Sequence, residues 1–484
     1  MKRIFSNPVT ALVVGACLRF FFVLYCPGGS GDTVLYEQIA INWLKRHIYA
    51  MDIGGVLTPV DTRVPGYPAF LALMYWLSGK TGADAHLWVM SAQVFIDLLT
   101  CLVIAVIAAV LVFLAFEKFR PRRAFTAALW LTVLCPFTAN YVAVVLTETW
   151  ATFFTALALL FLCLLLLRFR GSVFSVDGLT LDLRVSSEWW AALAGFAAGL
   201  GTLFRPETPL LLVTACLVLA WHLGRGRQWS KFVRIAAFMA AGCILPLVPW
   251  AVRNEITLHK IQFLSPRNSN LPGELVPAGF MAWEKTWLYR VRYCYLVTWK
   301  LNDEAVDVED IPPSAFDSPE EKERVAGALE AYNQDLSFTD EEDAVFAQVA
   351  AARTARHPLR THLWIPAART IAIWLTPRIE LLPFSGKVFP LAEAYEEDPV
   401  DQSLTVAFVA LNAIYMLLAA WGACRLWPQH GARTAVLLLI AFVLLRTAFL
   451  TTLEAPEPRY TLVCFPVLLA LAAQIFVGKD AGRK

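Results

Sequence analysis

The chain alternates long apolar runs with short polar segments, and this pattern predicts a multi-pass membrane protein. Apolar runs of about 20 residues are long enough to cross the hydrocarbon core of a bilayer as α-helices. We therefore expect an all-α polytopic fold of about ten transmembrane helices. The predicted spans, in chain order, are 9–25, 87–116, 124–146, 150–167, 189–204, 209–222, 235–252, 404–424, 435–450 and 462–477.

Basic residues predict the orientation of these spans. Lys2 and Arg3 precede the first span, and basic clusters follow the second, sixth and eighth, at 117–123, 225–234 and 425–433. Cytoplasmic loops are rich in lysine and arginine, so both termini and these clusters are expected inside. Every loop that combines acids, arginines and prolines then falls on the outer side. Because Arg19 interrupts the first run, we expect a retained helix rather than a cleaved signal peptide.

The first external segment, 28–68, combines an acid, an amphipathic run and a proline-rich turn. Asp32 follows the first span, and apolar residues then recur at helical spacing between residues 34 and 45. The basic end of that run indicates an interfacial helix rather than a crossing one. The segment closes on the sequence RVPGYP at 63–68, which we interpret as a turn that fixes the loop.

A long acidic segment, 255–361, predicts an external soluble subdomain, with a helix start at Ser318-Pro319. Charges and prolines interrupt 362–384, so 362–402 is predicted to form an interfacial helix and loop. If 362–384 crosses instead, the basic cluster at 425–433 moves outside. The expected domains are a transmembrane module over 1–254, the external segment over 255–361, the interfacial part over 362–402 and C-terminal helices over 403–484.

Composition supports the membrane class and excludes several others. The chain is 58% hydrophobic and 17% charged, and its mean hydropathy is +0.56, a balance that soluble domains do not show. Its ten cysteines are scattered without metal-ligand spacing, which supports neither a disulfide framework nor a zinc site. Nucleotide-binding, serine hydrolase and zincin motifs are absent from the sequence, and nothing indicates a nucleic-acid partner.

Three acids stand at predicted outer ends of apolar helices: Asp32, Glu148 and Glu207. Asp32 can act as a general base or orient an acceptor, or it can be a solvated helix N-cap. Glu148 and Glu207 either face a cavity, as ionisable residues at membrane depth usually do, or are solvated in loops. Asp97 lies inside the second span and needs a partner on another helix.

Arginines on the same side are candidates for phosphate binding. Arg205, Arg253 and Arg459 run against the positive-inside bias, and a guanidinium can bind phosphate oxygens through two parallel hydrogen bonds. The alternative is that they extend to lipid headgroups. Arg63 belongs to the same group with weaker support. The tyrosines Tyr67 and Tyr460 can donate hydrogen bonds or belong to the aromatic belt of the membrane interface.

Together these residues resemble the membrane glycosyltransferases of the GT-C superfamily. More narrowly, they resemble bacterial relatives of the dolichyl-phosphate-mannose protein mannosyltransferases and of the lipid A aminoarabinose transferase. The resemblance runs from 32 to about 477. It depends on the order of six short sequences: Asp32 after the first span, RVPGYP at 63–68, LTETW at 146–150, LFRPE at 203–207, PWAVRN at 249–254 and EPRY at 457–460.

The resemblance implies a sugar donor on a polyprenyl phosphate and an acceptor in the cell envelope. It places the active site on the periplasmic face of a bacterial inner membrane. Asp32 would then activate or position the acceptor, with Glu148 as a second acid. The residues expected to bind donor phosphate or substrate are Arg63, Tyr67, Arg205, Glu207, Arg253, Arg459 and Tyr460. A divalent metal between the acids is left open, since the sequence has no evident ligand cluster.

Two other kinds of protein remain as alternatives. A transporter or flippase of a lipid-linked sugar would place polar groups at mid-membrane and often contain inverted repeats, whereas here Asp97 is the one clear mid-span acid. An inactive assembly subunit with the same fold would not need the full set of acids and arginines. Loss of sugar transfer on neutralising Asp32 would distinguish the enzyme from both.

Overall fold

The computed structural model describes residues 7–116, 121–171, 174–176, 179–181, 185–266, 268, 271, 274–384, 386, 388, 391–455 and 457–477. These residues are mostly helical, with two antiparallel hairpins, Ala50–Ile53 with Val56–Pro59 and Phe174–Val176 with Leu179–Leu181. The α-helices are Pro8–Tyr25, Gly31–Arg46, Gly66–Ser78, His86–Ala115, Pro121–Val133, Pro136–Ala139, Glu148–Arg168, Ser187–Thr202, Leu210–Arg225, Trp229–Ile244, Val248–Leu258, Ala278–Glu284, Val291–Leu296, Pro319–Asp335, Asp340–Arg356, Ile365–Leu375, Leu391–Glu397, Pro399–Leu426, Arg433–Leu450 and Phe465–Ala472.

The prediction of an all-α multi-pass membrane protein is confirmed. Seven helices in the described part of the chain are long and apolar enough to cross a membrane, and an eighth span is formed if the pair Pro121–Val133 and Pro136–Ala143, bent by 53°, counts as one. The predicted fifth and sixth spans are helices of 16 residues each, Ser187–Thr202 and Leu210–Arg225. The stretch predicted to be interfacial forms the short helix Ile365–Leu375 after a π-helical turn, Arg360–Trp364.

The chain forms two compact units. The first comprises Met1–Pro266, Arg378–Val443 and Leu462–Lys484, and the second comprises Arg267–Pro377 and Leu444–Thr461. The second unit thus contains most of the predicted external segment 255–361. It also takes in the end of the helix Arg433–Leu450 and the turn that follows, which lie far along the chain. The predicted division into four contiguous segments did not place Leu444–Thr461 with the external segment.

Glycines bring two helices of the first unit into backbone contact. On Ser187–Thr202 a Cβ at Gly195 would collide with the Met239 carbonyl, and on Trp229–Ile244 a Cβ at Gly242 would collide with the Ala192 carbonyl. Small residues allow this approach in membrane helices, where dispersion and weak polar contacts drive association. The glycine-rich sequence of the fifth predicted span therefore has a packing role.

A buried ion pair joins three helices of the first unit. Arg19 is fully buried and its Nε donates to Asp97 Oδ2 at 2.6 Å. Its Nη1 donates to two backbone carbonyls, Gly15 O at 3.0 Å on its own helix and Val133 O at 2.9 Å on a third. Arg19 is therefore the partner that the mid-span Asp97 requires, and the pair has a structural role.

We expect Arg19→Met or Asp97→Leu alone to destabilise the first unit by about 3–5 kcal/mol, because each leaves one buried charge without its partner. The double variant Arg19→Met/Asp97→Leu should recover much of that loss, since it buries no charge. Thermal unfolding in detergent micelles measures the three variants. A double variant as unstable as the worse single one would contradict this assignment.

The second unit has an aromatic core between two helices. Trp283, Trp287, Tyr332 and Phe346 are buried there, and the rings of Trp283 and Trp287 lie 5.2 Å apart. The enclosing helices begin at capped positions. Ser318 accepts a hydrogen bond from Glu321 N before Pro319–Asp335, which confirms the predicted helix start. Asp340–Arg356 begins with a capping box between Thr339 and Glu342.

Glu284 is a buried carboxyl group beside this core. Its Oε1 accepts a hydrogen bond from the Thr298 hydroxyl at 2.5 Å, and its Oε2 has no hydrogen-bond partner among the described residues. Burial raises the pKa of Glu284 to about 8, because a carboxylate loses its hydration there. The native unit therefore favours the protonated form of this group.

This shift predicts that the second unit loses stability as the pH rises. Between the ordinary pKa of 4.5 and about 8, the native state holds a proton on Glu284 that the unfolded state has released. The stability it provides is present below pH 4.5, falls as the pH rises to about 8 and then levels off. Glu284→Gln should flatten this part of the pH profile in thermal unfolding followed by tryptophan fluorescence. The exposed Glu309→Gln is the control, and identical profiles for wild type and Glu284→Gln would refute the prediction.

Candidate active site

Five of the predicted site residues lie at helix ends of the first unit. Asp32 is in the first turn of Gly31–Arg46, and Glu148 is the first residue of Glu148–Arg168. Arg63 precedes the helix Gly66–Ser78, while Arg205 and Glu207 follow Ser187–Thr202. Helix ends leave backbone groups without helical partners, so their loops need other contacts.

Backbone contacts hold these helix ends together. Gly28 N donates to Ala143 O at 3.0 Å and the Thr33 hydroxyl to Val145 O at 3.0 Å, so the segment before Asp32 runs beside the segment before Glu148. Gly66 N donates to Leu203 O at 2.7 Å, and a Cβ at residue 66 would lie 2.5 Å from that oxygen. The RVPGYP turn is thereby fixed beside the segment that carries Arg205.

Asp32 forms an ion pair with Arg63. Arg63 Nη2 donates to Asp32 Oδ1 at 2.9 Å, and the two side chains are 19% and 34% exposed, respectively. The alternative interpretation of Asp32 as the N-cap is wrong. The helix begins earlier than predicted, at Gly31, and Ser30 occupies the cap position. Asp32 lies in the first turn, where the helix dipole favours a negative charge, and it is accessible to a ligand.

Arg205 is held by two carboxylates. Its Nη2 donates to Oε1 of the buried Glu148, and its Nη1 lies 3.6 Å from Glu207 Oε1. With the pair Asp32–Arg63, the neighbourhood contains three carboxylates and two guanidinium groups. No group of three or more histidine, cysteine or acidic side chains in the described part of the chain could hold a metal ion.

Tyr36 is close to both sets of charges. Its ring meets the ring of Tyr67 edge-on at 5.2 Å, and the Arg63 guanidinium carbon is 5.9 Å from its centroid. Burial raises the pKa of Tyr36 to about 12, and the charges of Asp32, Arg63, Arg205 and Glu148 act on the same hydroxyl. The sequence interpretation used Tyr36 only as an apolar position. Its place one helical turn after Asp32, on the same face, is the signal that could have identified it.

Tyr67, predicted to bind substrate, has a buried position within the first unit. It is fully buried, and its hydroxyl donates to Gln93 Oε1 at 2.8 Å. Gln93 Nε2 in turn donates to Val142 O at 3.0 Å and Val144 O at 2.8 Å. Tyr67 therefore acts through Gln93 to fix the segment that precedes Glu148.

Arg253, predicted to bind phosphate, is bound to the first external segment. Its Nη1 donates to Val60 O at 2.8 Å and its Nη2 to Tyr49 O at 2.6 Å. These carbonyls stand at the two ends of the hairpin Ala50–Ile53 with Val56–Pro59. The guanidinium also lies over the rings of Tyr49 and Trp250, at 5.0 and 5.1 Å. Arg253 thus closes the base of the hairpin.

Arg459 and Tyr460 belong to the second unit and share one buried acid. Arg459 Nη2 and the Tyr460 hydroxyl donate to Glu457 Oε1 at 2.7 and 3.1 Å. The Tyr295 hydroxyl donates to the other oxygen of Glu457 at 3.0 Å. Glu457 and Tyr295 were not among the predicted site residues. The turn EPRY therefore contributes to a charged cluster within the second unit.

Comparisons with known proteins identify no family. No protein-family model matches the sequence, and no curated protein matches it. Among solved structures, the chain is similar to the oligosaccharyltransferase of Archaeoglobus fulgidus in the apo form, with 13% identity, a TM-score of 0.49 and coverage of 96% of this chain and 50% of that one. It is also similar to ArnT from Cupriavidus metallidurans bound to undecaprenyl phosphate, with 12% identity, a TM-score of 0.40 and coverage of 97% and 77%. The chain spans about half the length of the oligosaccharyltransferase.

Removal of the Arg253 guanidinium should loosen the hairpin rather than abolish phosphate binding. Hydrogen bonds from a charged donor contribute about 1.5–3 kcal/mol, so amide exchange over 49–60 should accelerate about ten-fold or more in Arg253→Met. Hydrogen–deuterium exchange measures this effect. Arg46→Met is the matched control, because the pair of Arg46 with Asp52 of the same hairpin is exposed and contributes little. Unchanged exchange together with lost binding of undecaprenyl phosphate would restore the phosphate-binding interpretation.

Proposed function

We propose that the chain is a membrane glycosyltransferase that moves a sugar from a polyprenyl-phosphate donor to an envelope acceptor on the periplasmic face of a bacterial inner membrane. The observation that carries the proposal is the meeting of two ion-paired groups, Asp32 with Arg63 and Glu148 with Arg205, around one tyrosine. The donor class follows from the sequence resemblance to GT-C enzymes.

Asp32 is the proposed acceptor-side base. An inverting transfer needs a carboxylate beside the acceptor hydroxyl, to take its proton as the new glycosidic bond forms. Asp32 is paired with Arg63 and its side chain remains about one-third exposed, so an acceptor can reach it. Glu148 is buried and bound to Arg205, which suits it to holding that guanidinium rather than to meeting an acceptor.

Arg63 and Arg205 are the proposed ligands of the donor phosphate. The leaving group of the transfer is a lipid phosphate, and fixed cationic donors stabilise the charge that develops on it. Both side chains are partly exposed, and each guanidinium is paired with at least one carboxylate. Arg253 is a weaker candidate, because its Nη groups donate to backbone carbonyls of the hairpin.

The alternative of a transporter loses its main support. A transport path is expected to pass ionisable groups at mid-membrane, and Asp97 was the acid that could have served. Asp97 is instead buried and paired with Arg19, which also binds a carbonyl of a third helix. The candidate residues lie at helix ends, where a lipid phosphate with its tail in the bilayer can reach them.

We expect Asp32→Asn to lower sugar transfer by about 10²–10³-fold, because the amide cannot accept the acceptor proton. Folding should change by less than about 1 kcal/mol, since the partly exposed pair with Arg63 contributes little. The assay follows consumption of a panel of labelled undecaprenyl-phosphate sugars by the purified protein in proteoliposomes that contain envelope lipids and glycans. Asp52→Asn, an exposed acid of the same segment, is the control.

Two results would count against the proposal. Wild-type transfer by folded Asp32→Asn protein would remove Asp32 from the reaction. Counterflow of intact lipid-linked sugar by the wild-type protein, with no transfer product from any donor in the panel, would replace the enzyme with a transporter.

A further inference from the structure

We propose that the hydroxyl of Tyr36 donates a hydrogen bond to the phosphate of the lipid donor. This inference rests on the proposed glycosyltransferase function and adds a substrate-contacting residue to it. The group involved is a neutral donor on a ring that packs against Arg63, near enough to Glu148 and Arg205 for their charges to act on it.

The Tyr36 hydroxyl differs from the other tyrosine hydroxyls around it. Tyr49 donates to Arg63 O, Tyr67 to Gln93, Tyr75 to Glu37 and Tyr141 to Glu380. The Tyr36 hydroxyl makes no hydrogen bond to any residue that the structure describes. Partly buried polar groups in folded proteins usually have a partner, so a hydroxyl without a described protein partner beside several charges indicates water or a ligand.

The ring of Tyr36 is fixed while its hydroxyl remains available. The edge-on contact with Tyr67 and the Arg63 guanidinium over the ring hold it from two sides. Its helix is tied to the segment before Glu148 through Thr33. A hydrogen-bond donor whose direction is set before the ligand arrives needs little reorganisation free energy when charge develops on the ligand.

Charge complementarity favours phosphate over the acceptor as the occupant. The neighbouring carboxylates can only accept hydrogen bonds, and Arg63 and Arg205 already donate to them. The Tyr36 hydroxyl stays protonated at ordinary pH because burial raises its pKa to about 12, so it serves as a donor and not as a base. Phosphate oxygens are acceptors and match this group. An acceptor hydroxyl would instead compete for Asp32.

The experiment compares Tyr36→Phe with Tyr67→Phe, two variants that each remove one hydroxyl from touching rings. Undecaprenyl phosphate binding, kcat and KM for donor and acceptor, and thermal unfolding are measured for both. For Tyr36→Phe we expect binding of undecaprenyl phosphate and kcat/KM for the donor to fall by about 10- to 100-fold, with an unchanged unfolding temperature. Tyr67→Phe should lower the unfolding temperature, because Gln93 loses its partner.

Each other outcome overturns the inference in a distinct way. If the wild type is active and Tyr36→Phe binds undecaprenyl phosphate normally, the proposed hydrogen bond to the phosphate does not exist. A change confined to the acceptor KM would show that the Tyr36 hydroxyl contacts the acceptor instead of the phosphate. A lowered unfolding temperature in Tyr36→Phe shows that the hydroxyl has a structural partner. If the wild-type protein neither binds undecaprenyl phosphate nor consumes a donor, the proposed function fails, and this inference fails with it.

Discussion

The close approach of Gly66 to Leu203 is the contact on which the candidate site depends. Gly66 N donates to Leu203 O at 2.7 Å, at a position where even a methyl group would meet that oxygen. This contact fixes the turn that carries Arg63 beside the helix end that carries Arg205. An aromatic layer continues the contact, with Trp150 stacked on Phe204 at 5.2 Å and 13°. Because the backbone brings these helix ends together, their acids and arginines can pair, as Asp32 does with Arg63 and Glu148 with Arg205.

Exposure separates the structural ion pair from the functional candidate. Arg19 with Asp97 and Arg63 with Asp32 are chemically the same pair. The first is closed to solvent and also satisfied by backbone carbonyls, so it can only hold helices together. The second is partly open, with side chains 19% and 34% exposed. A partly exposed ion pair of this kind contributes little to the stability of the fold. The contrast supports a ligand at Asp32 and Arg63.

Sequence periodicity was sufficient to predict the membrane class and most of the helices, because contact with lipid requires runs of apolar residues that are visible within each short stretch of sequence. It also identified Asp32, Glu148 and Arg205 as candidates, since ionisable residues at the ends of apolar helices are conspicuous. It could not reveal partners that lie far apart in the chain. Asp97 pairs with a residue 78 positions earlier, and Arg253 binds carbonyls about 200 positions earlier. Tyr36 was missed because an aromatic ring on an amphipathic helix satisfies the apolar pattern whatever its hydroxyl does.

The partners of a guanidinium, more than its position at a helix end, indicate its role. Arg253 donates to the carbonyls of Tyr49 and Val60, and in the second unit Arg369 donates to the carbonyls of Leu288 and Glu284. A planar group with five donors suits this work, since it can join irregular segments where helical hydrogen bonds end. Counting arginines at helix ends therefore overpredicts phosphate sites. Among the four arginines predicted to bind phosphate, a carboxylate partner combined with clear partial exposure favours Arg63 and Arg205, the two guanidiniums whose charges act on the Tyr36 hydroxyl.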